Sequence, residues 1–275
     1  MTETAEAAAE HGAEGAADIS SMIMEHILDA PSLHLPGAHV HLPHIELFGI
    51  DMSITRHVVM MWVAAVILIV GLTVTTRRRG MVPKGLANLF ESVMVFIRDD
   101  IAIPNIGARE AGRFLPYLFT VFFFILTCNL LGLIPYGATA TANINVTAAL
   151  AICSFFAILL GGILQNGLFG YFKGLIPHGL PAWLLPIMVP IEIVGLFTKP
   201  FALCIRLFAN MTAGHVVILS LMGLIFILGT ILVAPISVAF ALAVNLLEIF
   251  VALIQAYIFT LLSAVFIGMA VHQEH

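Results

Sequence analysis

The stretch 235-PISVAFALAVNLLEIFVALIQAYIFTLLSAVFIG-268 decides the fold. Between Pro235 and Gly268 it holds no glycine and no further proline, and Glu248 is its only charge. A continuous helix there is about 48 Å long at 1.5 Å per residue. An upright crossing of a hydrocarbon core needs about 30 Å. Two crossings with a turn would need more residues and a breaker. Tilt reconciles the length with one crossing, at about 50°, steeper than the usual range of about 0–40°. The preceding segment, 184–228, is also too long for an upright crossing, and Pro186, Pro190 and Pro200 are places where it can bend. The two predict a steeply tilted hairpin joined near 229–235, suited to wrapping a curved neighbour.

Composition agrees. Hydrophobic residues make up 61% and charged residues 10% of the 275-residue chain, and the mean hydropathy is +1.08. A soluble domain carries about a quarter charged residues. Lipid is therefore the predicted solvent, and lipid admits only helices or closed barrels, because every backbone polar group must be satisfied internally. Long unbroken apolar runs exclude a barrel, whose strands alternate in short segments. The predicted fold is an all-α integral membrane protein with about five crossing helices and one interfacial amphipathic helix.

The first crossing is 58–76. It ends at Arg77, Arg78, Arg79 and Lys84, against only Arg56 before it, so the N-terminus is expected outside and residue 77 in the cytoplasm. Over 83–101, Leu86, Leu89, Phe90, Val93, Phe96 and Ile97 recur at helical spacing, interrupted by Glu91, Arg98, Asp99 and Asp100. That pattern predicts an amphipathic helix at the interface or packed on its neighbours. From Arg113 to Lys173 no charge intervenes, and Pro135-Tyr136-Gly137 breaks the stretch into crossings at 114–134 and 144–171. The final crossings are 184–228 and 235–271, which leaves the C-terminus cytoplasmic. The membrane domain is 51–275. Residues 1–50 form an external tail: acidic and disordered over Met1–Ile19, without the pattern of a secretory signal, then a short amphipathic piece (Ile23, Met24, Ile27, Leu28) and a loop rich in Pro and His.

Several function classes find no support. No basic patch with interleaved aromatics points to nucleic acid, and no phosphate loop or cofactor motif occurs. Cys128, Cys153 and Cys204 follow neither a metal nor a disulfide spacing and are expected as small core hydrophobes. His39, His41 and His44 match no zinc pattern.

The charges inside the last two segments stand out: Glu192, Lys199, Arg206, His215 and Glu248. An Arg at the centre of a membrane helix costs about 2.5–3.5 kcal/mol even on the lenient insertion scale, so a functional role is the default reading. Lys199, near a helix start, equally fits a side chain snorkelling to the interface. Asn210 follows Arg206 by four residues and shares its face, with Ala202, Ala209 and Ala213 on or beside it. Small residues around a lone cation admit a close neighbour. Glu192 lies fourteen residues away, about 21 Å along a straight helix, so the partner of Arg206 is expected partly from another chain. Asn245, Glu248 and Gln255 make a polar stripe that either lines an aqueous groove or bonds a neighbouring helix. His215, facing Glu248 across the hairpin, would form a titratable pair near neutral pH; a hydrogen-bonded core histidine is the other reading.

The string 198-TKPFALCIRLFANMTAGH-215, with EIFVALIQAYIF at 248–259 and CNLLGLIPY at 128–136, resembles the a subunit of F-type ATP synthases of the bacterial type. The likeness covers most of the chain and weakens before residue 50. It implies a proton-conducting stator subunit of a rotary motor in the bacterial inner membrane, not catalytic for ATP chemistry itself. The implied partners are a ring of c subunits, a b-type peripheral stalk, the F1 sector and membrane lipids; no cofactor or metal is implied. By position, Arg206 matches the stator arginine that faces the rotor carboxylate, and Asn210 and Gln255 the polar residues near it. Glu192 matches the acid of the cytoplasmic half-channel, and Asn129 a polar position of the third helix region. His215 and Glu248 match an acid–histidine pair of the opposite half-channel, in reversed order relative to many bacterial members. Gly132 stands where many members have Asp, and Gly195 and Ala202 where some have Ser. A secondary transporter with an intramembrane Arg/Glu/His site would show repeats and broken helices. A membrane hydrolase would show a nucleophile or an HExxH motif. Neither signature is present.

Overall fold

The computed structural model describes residues 32–35, 38–41, 46–47, 50–51, 53–77, 85–134, 139–174, 185–228 and 234–272. Five helices among them are long and apolar enough to cross a membrane: α1 (Arg56–Arg77), α4 (Ala111–Gly132), α5 (Ile144–Gly174), α6 (Leu185–Leu228) and α7 (Ala234–Val271). Two shorter helices, α2 (Leu86–Phe96) and α3 (Ile103–Ile106), lie between α1 and α4. The 38 residues of α7 run unbroken, about 57 Å of helix at 1.5 Å per residue. The 44 residues of α6 keep Pro190 and Pro200 inside the helix. Each proline withdraws one backbone donor, which leaves the carbonyls of Pro186 and Leu196 without a helical partner.

Three local features depart from the expected pattern. The amphipathic helix does not end at 101: α2 widens into a π-helix over Ile97–Ala102 and continues into α3. Ile97 and Ile106 are nine residues apart, half a turn out of phase on a straight α-helix. The π turn changes that phase, and both are fully buried along with Ile101. Outside it, Arg98 Nε donates to Asp99 Oδ1 at 2.7 Å, which holds the Asp99 carboxyl below its ordinary range. The second departure is in α5, which is two helical pieces joined at Gly167 with φ 72° and ψ 165°; without a Cβ that backbone is free of steric cost. The third precedes the membrane helices. Where a loop was expected, β1 (Ser32–Leu35) pairs antiparallel with β2 (Ala38–His41), and β3 (Glu46–Leu47) with β4 (Ile50–Asp51). The segment at 20–28, the Pro135–Gly137 break and residues 229–233 of the expected turn lie outside the described residues.

The chain divides into two compact units. One comprises Met1–Val63, Cys128–Asn143 and Phe208–Leu253; the other comprises Ala64–Thr127, Ile144–Leu207 and Ile254–His275. The second holds an apolar core that includes Ile97, Ile101, Leu118, Ile125, Leu207 and Phe259. Its C-terminal helix end is fastened by polar contacts: Asn166 Nδ2 donates to the Ala270 carbonyl at 3.1 Å, and His272 Nε2 to the Ile106 carbonyl at 2.7 Å. Of the three thiols, Cys128 and Cys204 are buried, but Cys153 is exposed on α5, not in the core as expected. A helix in lipid can carry a small apolar group outward as readily as inward, so burial of a thiol is not assured there. Large apolar side chains also face outward, among them Trp62, Ile69, Phe197, Phe240 and Phe250, as lipid-facing surfaces do.

Gly268 packs so closely on the Asn105 carbonyl that a Cβ would overlap it. Gly268→Ala should therefore destabilise the protein by about 1–3 kcal/mol, seen as a lower melting temperature in detergent. An unchanged melting temperature would contradict this packing.

Candidate functional site

In the unit that includes Phe208–Leu253, α6 and α7 each place one titratable side chain against the other. Glu248 is 3% exposed. Its Oε1 lies 2.7 Å from His215 Nδ1. The other ring nitrogen, His215 Nε2, is 2.6 Å from Thr139 Oγ1. Thr139 stands just before a 3₁₀ turn, Ala140–Ala142, and is 2% exposed. On that turn Thr141 Oγ1 donates to Asn129 Oδ1 of α4 at 2.5 Å. The sequence thus brings a carboxylate, an imidazole and a hydroxyl into one hydrogen-bonded line.

Three buried polar atoms near these residues in sequence have no hydrogen-bond partner among the described residues: Glu248 Oε2, Asn129 Nδ2 and Thr212 Oγ1. Leaving such groups unsatisfied costs about 1–3 kcal/mol each. All three belong to the same compact unit, and buried polar groups left in this way call for water or a ligand rather than apolar packing. Two glycines make the line possible. A Cβ on Gly214 would sit 2.5 Å from Glu248 Oε1 and 3.0 Å from its Cδ. A Cβ on Gly132 would overlap the Thr139 side chain and come within 2.9 Å of its Cα.

The other unit holds the fixed charges. Arg206 is exposed on α6, as is Ala202 one turn before it, while Leu203 and Leu207 turn inward and are buried. Among the described residues Arg206 has no hydrogen-bond or ion-pair partner. Glu192 is half-buried and likewise without a partner among them. Lys199 Nζ lies 5.4 Å from the centre of the Phe266 ring, a cation–π distance that satisfies it locally. Gln255 on α7 is buried and engaged in contacts. Asn210, on the part of α6 that belongs to the first unit, is exposed and also engaged in contacts, and Ala209 and Ala213 are exposed there too.

Of the residues singled out by sequence, His215 and Glu248 are bonded to each other, and Asn129 is held by Thr141. Arg206 and Glu192 stand apart from any acid or base of the described chain. The threonines were missed because a search by charge passes over hydroxyls; an unbroken Thr-rich run directly after a turn, ATATAN at 138–143, was the available signal. A second such group lies in the other unit, where Tyr117 Oη meets Ser154 Oγ at 2.6 Å and Ser154 lies 3.4 Å from Ser263 Oγ. Among the described residues no three metal-ligating side chains converge.

Comparison with known proteins gives this arrangement a setting. Residues 58–268 match the family described as ATP synthase A chain. The chain is 55% identical to the ATP synthase subunit a of Chloroherpeton thalassium, over 92% of this chain and 77% of that one. It is 54% identical to ATP synthase subunit a 2 of Chlorobaculum tepidum, over 97% of this chain and 77% of the other. With the ATP synthase subunit a of Myxococcus xanthus the identity is 50%, over 91% and 87% of the two chains.

Gly214→Ala should push the Glu248 carboxylate off His215. The ring-nitrogen chemical shifts of His215 should move on substitution; shifts identical to those of the parent would show that the contact is not needed.

Proposed function

The chain belongs to the ATP synthase A chain family, and from that premise we propose that it supplies two offset aqueous half-channels against a rotating ring of c subunits. It translocates protons and makes no ATP. The observation that carries the proposal is Arg206: a permanent cation, exposed on a membrane-length helix beside a small residue, with no acid of the described chain paired to it. Such a charge is expensive in lipid unless an anion meets it.

A proton enters from the outer side, passes His215 and Glu248, and neutralises a rotor carboxylate. The neutral acid can then face lipid. After nearly a full turn the carboxylate reaches the second half-channel, near Glu192, and releases its proton inward. Between the two, Arg206 attracts the ionised carboxylate, favours deprotonation there and blocks direct leakage. Arginine suits the task because it stays protonated throughout the relevant pH range. Asn210 and Gln255 line the approach to Arg206, and Asn129 belongs to the polar lining on the His215 side. One charge crossing 100 mV is worth about 2.3 kcal/mol, so several protons are gathered for each ATP. A b-type peripheral stalk holds the subunit still against the F1 sector. In the bacterial inner membrane the N-terminus is outside and the C-terminus cytoplasmic, following the Arg77–Arg79 cluster.

Arg206→Ala should abolish ATP-driven proton pumping in vesicles while the synthase remains assembled; coupled pumping at the parent rate would refute the role of Arg206. The paired reading has its own test in His215→Glu combined with Glu248→His. The double variant should pump better than either single one, and a double no better than the singles would break the pairing.

A further inference from the structure

We infer that Thr139 is a third member of the proton relay, handing protons to His215, and that the missing side chain at Gly132 is what admits it. This rests on the proton-conducting role proposed above for His215 and Glu248. The line of contacts is Thr139 Oγ1 to His215 Nε2 at 2.6 Å, then His215 Nδ1 to Glu248 Oε1 at 2.7 Å.

An imidazole carries a proton through only if both nitrogens have partners in every state. With the ring neutral and its proton on Nδ1, Nε2 is an acceptor and needs a donor. With the ring protonated, Nε2 becomes a donor and needs an acceptor. A hydroxyl can do both, by turning. Glu248 Oε1 serves Nδ1 in the same two states. The step balances when Thr139 Oγ1 takes a proton arriving from the outer half-channel as its own proton passes to Nε2: the hydroxyl is restored, the ring becomes imidazolium, and the Nδ1 proton passes to the Glu248 carboxylate. A neutral ring with its proton on Nε2, bonded to Thr139 Oγ1, and a neutral acid remain.

Burial makes the threonine consequential. Thr139 is 2% exposed, so bulk water does not readily replace its hydroxyl at Nε2. Position 132 governs whether it can be there at all. A Cβ on Gly132 would overlap Thr139 Oγ1 and Cβ and lie 2.9 Å from its Cα. A side chain at 132 and the Thr139 hydroxyl at His215 exclude each other.

The test uses the intact synthase reconstituted in lipid vesicles, with ATP-driven proton uptake, ATP hydrolysis and subunit composition measured together. Thr139→Val keeps the shape and removes the hydroxyl. Proton uptake should fall about tenfold, as befits a half-buried ring nitrogen left without its partner. Thr139→Ala, which can only remove atoms, should fall alike, and Thr139→Ser should recover most of the lost rate. Gly132→Ala should mimic Thr139→Val by displacing the hydroxyl. Parent-like uptake in Thr139→Val and Thr139→Ala overturns the inference. So does a loss in Thr139→Ser as deep as in Thr139→Val, which would mean shape and not the hydroxyl matters. A reference variant separates the two layers: if His215→Ala also pumps at the parent rate, the conduction reading itself falls. If His215→Ala is impaired while Thr139→Val is not, only the role of Thr139 falls.

Discussion

A guanidinium remains charged at any pH a cell reaches, and in this chain Arg206 presents one on the outer face of a 44-residue helix. Lipid does not solvate it, and the described chain does not pair it. On the proposed function, an anion brought by another molecule holds that charge, and the surface of α6 around Arg206 is read in that light. Ala202, one turn before the arginine, is small and exposed, while Leu203 and Leu207 point inward to anchor the helix. The apolar side chains of Phe201 and Ile205 are exposed near it, and the attraction to an approaching acid falls with distance and with the water admitted between them.

The two kinds of ionisable group in the membrane helices have opposite needs. Arg206 has to keep its charge, so it gains from being approached only by an acid. On the proposed function His215 and Glu248 change theirs, so each has to stabilise the other in more than one protonation state. A short hydrogen bond between a carboxylate and an imidazole does that, because the proton count of the pair can change while the contact persists. On the same reading Glu248 Oε2, without a partner among the described residues, is the oxygen open to a proton or a water, since hydrogen bonds to both oxygens would favour the charged form.

Hydropathy made the long helices legible, since runs such as 235–268 leave few alternatives in lipid. Charge made the site legible, because Arg206, His215 and Glu248 are conspicuous where charge is costly. Other features escaped for physical reasons. The π turn at Ile97–Ala102 is a phase correction between two buried faces, and a short window of apolar spacing fits either phase. Gly167 looks like any glycine in an apolar run; only its φ of 72° marks the joint. The strands at 32–41 carried a two-residue alternation, SLHL and AHVH, that the surrounding Pro and His residues obscured. Thr139 was invisible because a threonine in a membrane segment ordinarily bonds its own helix, as Thr260 does to the Ala256 carbonyl. What it bonds instead is decided by a partner 76 residues away.

The order of histidine before acid, which the resemblance marks as reversed, fits this geometry. On α6 the side chain at 215 must reach two partners in opposite directions, Glu248 and Thr139. An imidazole does so with nitrogens on separate edges of one rigid ring, each able to donate or accept. A carboxylate has no donor when ionised and would leave Thr139 able only to donate. The α7 position has one named partner, and a carboxylate suffices there. Gly214 then lets the carboxylate approach the ring, and Gly132 lets the threonine approach from the other side. Imidazole, carboxylate, hydroxyl and two bare glycines form one arrangement, in which changing any member alters what the others can bond.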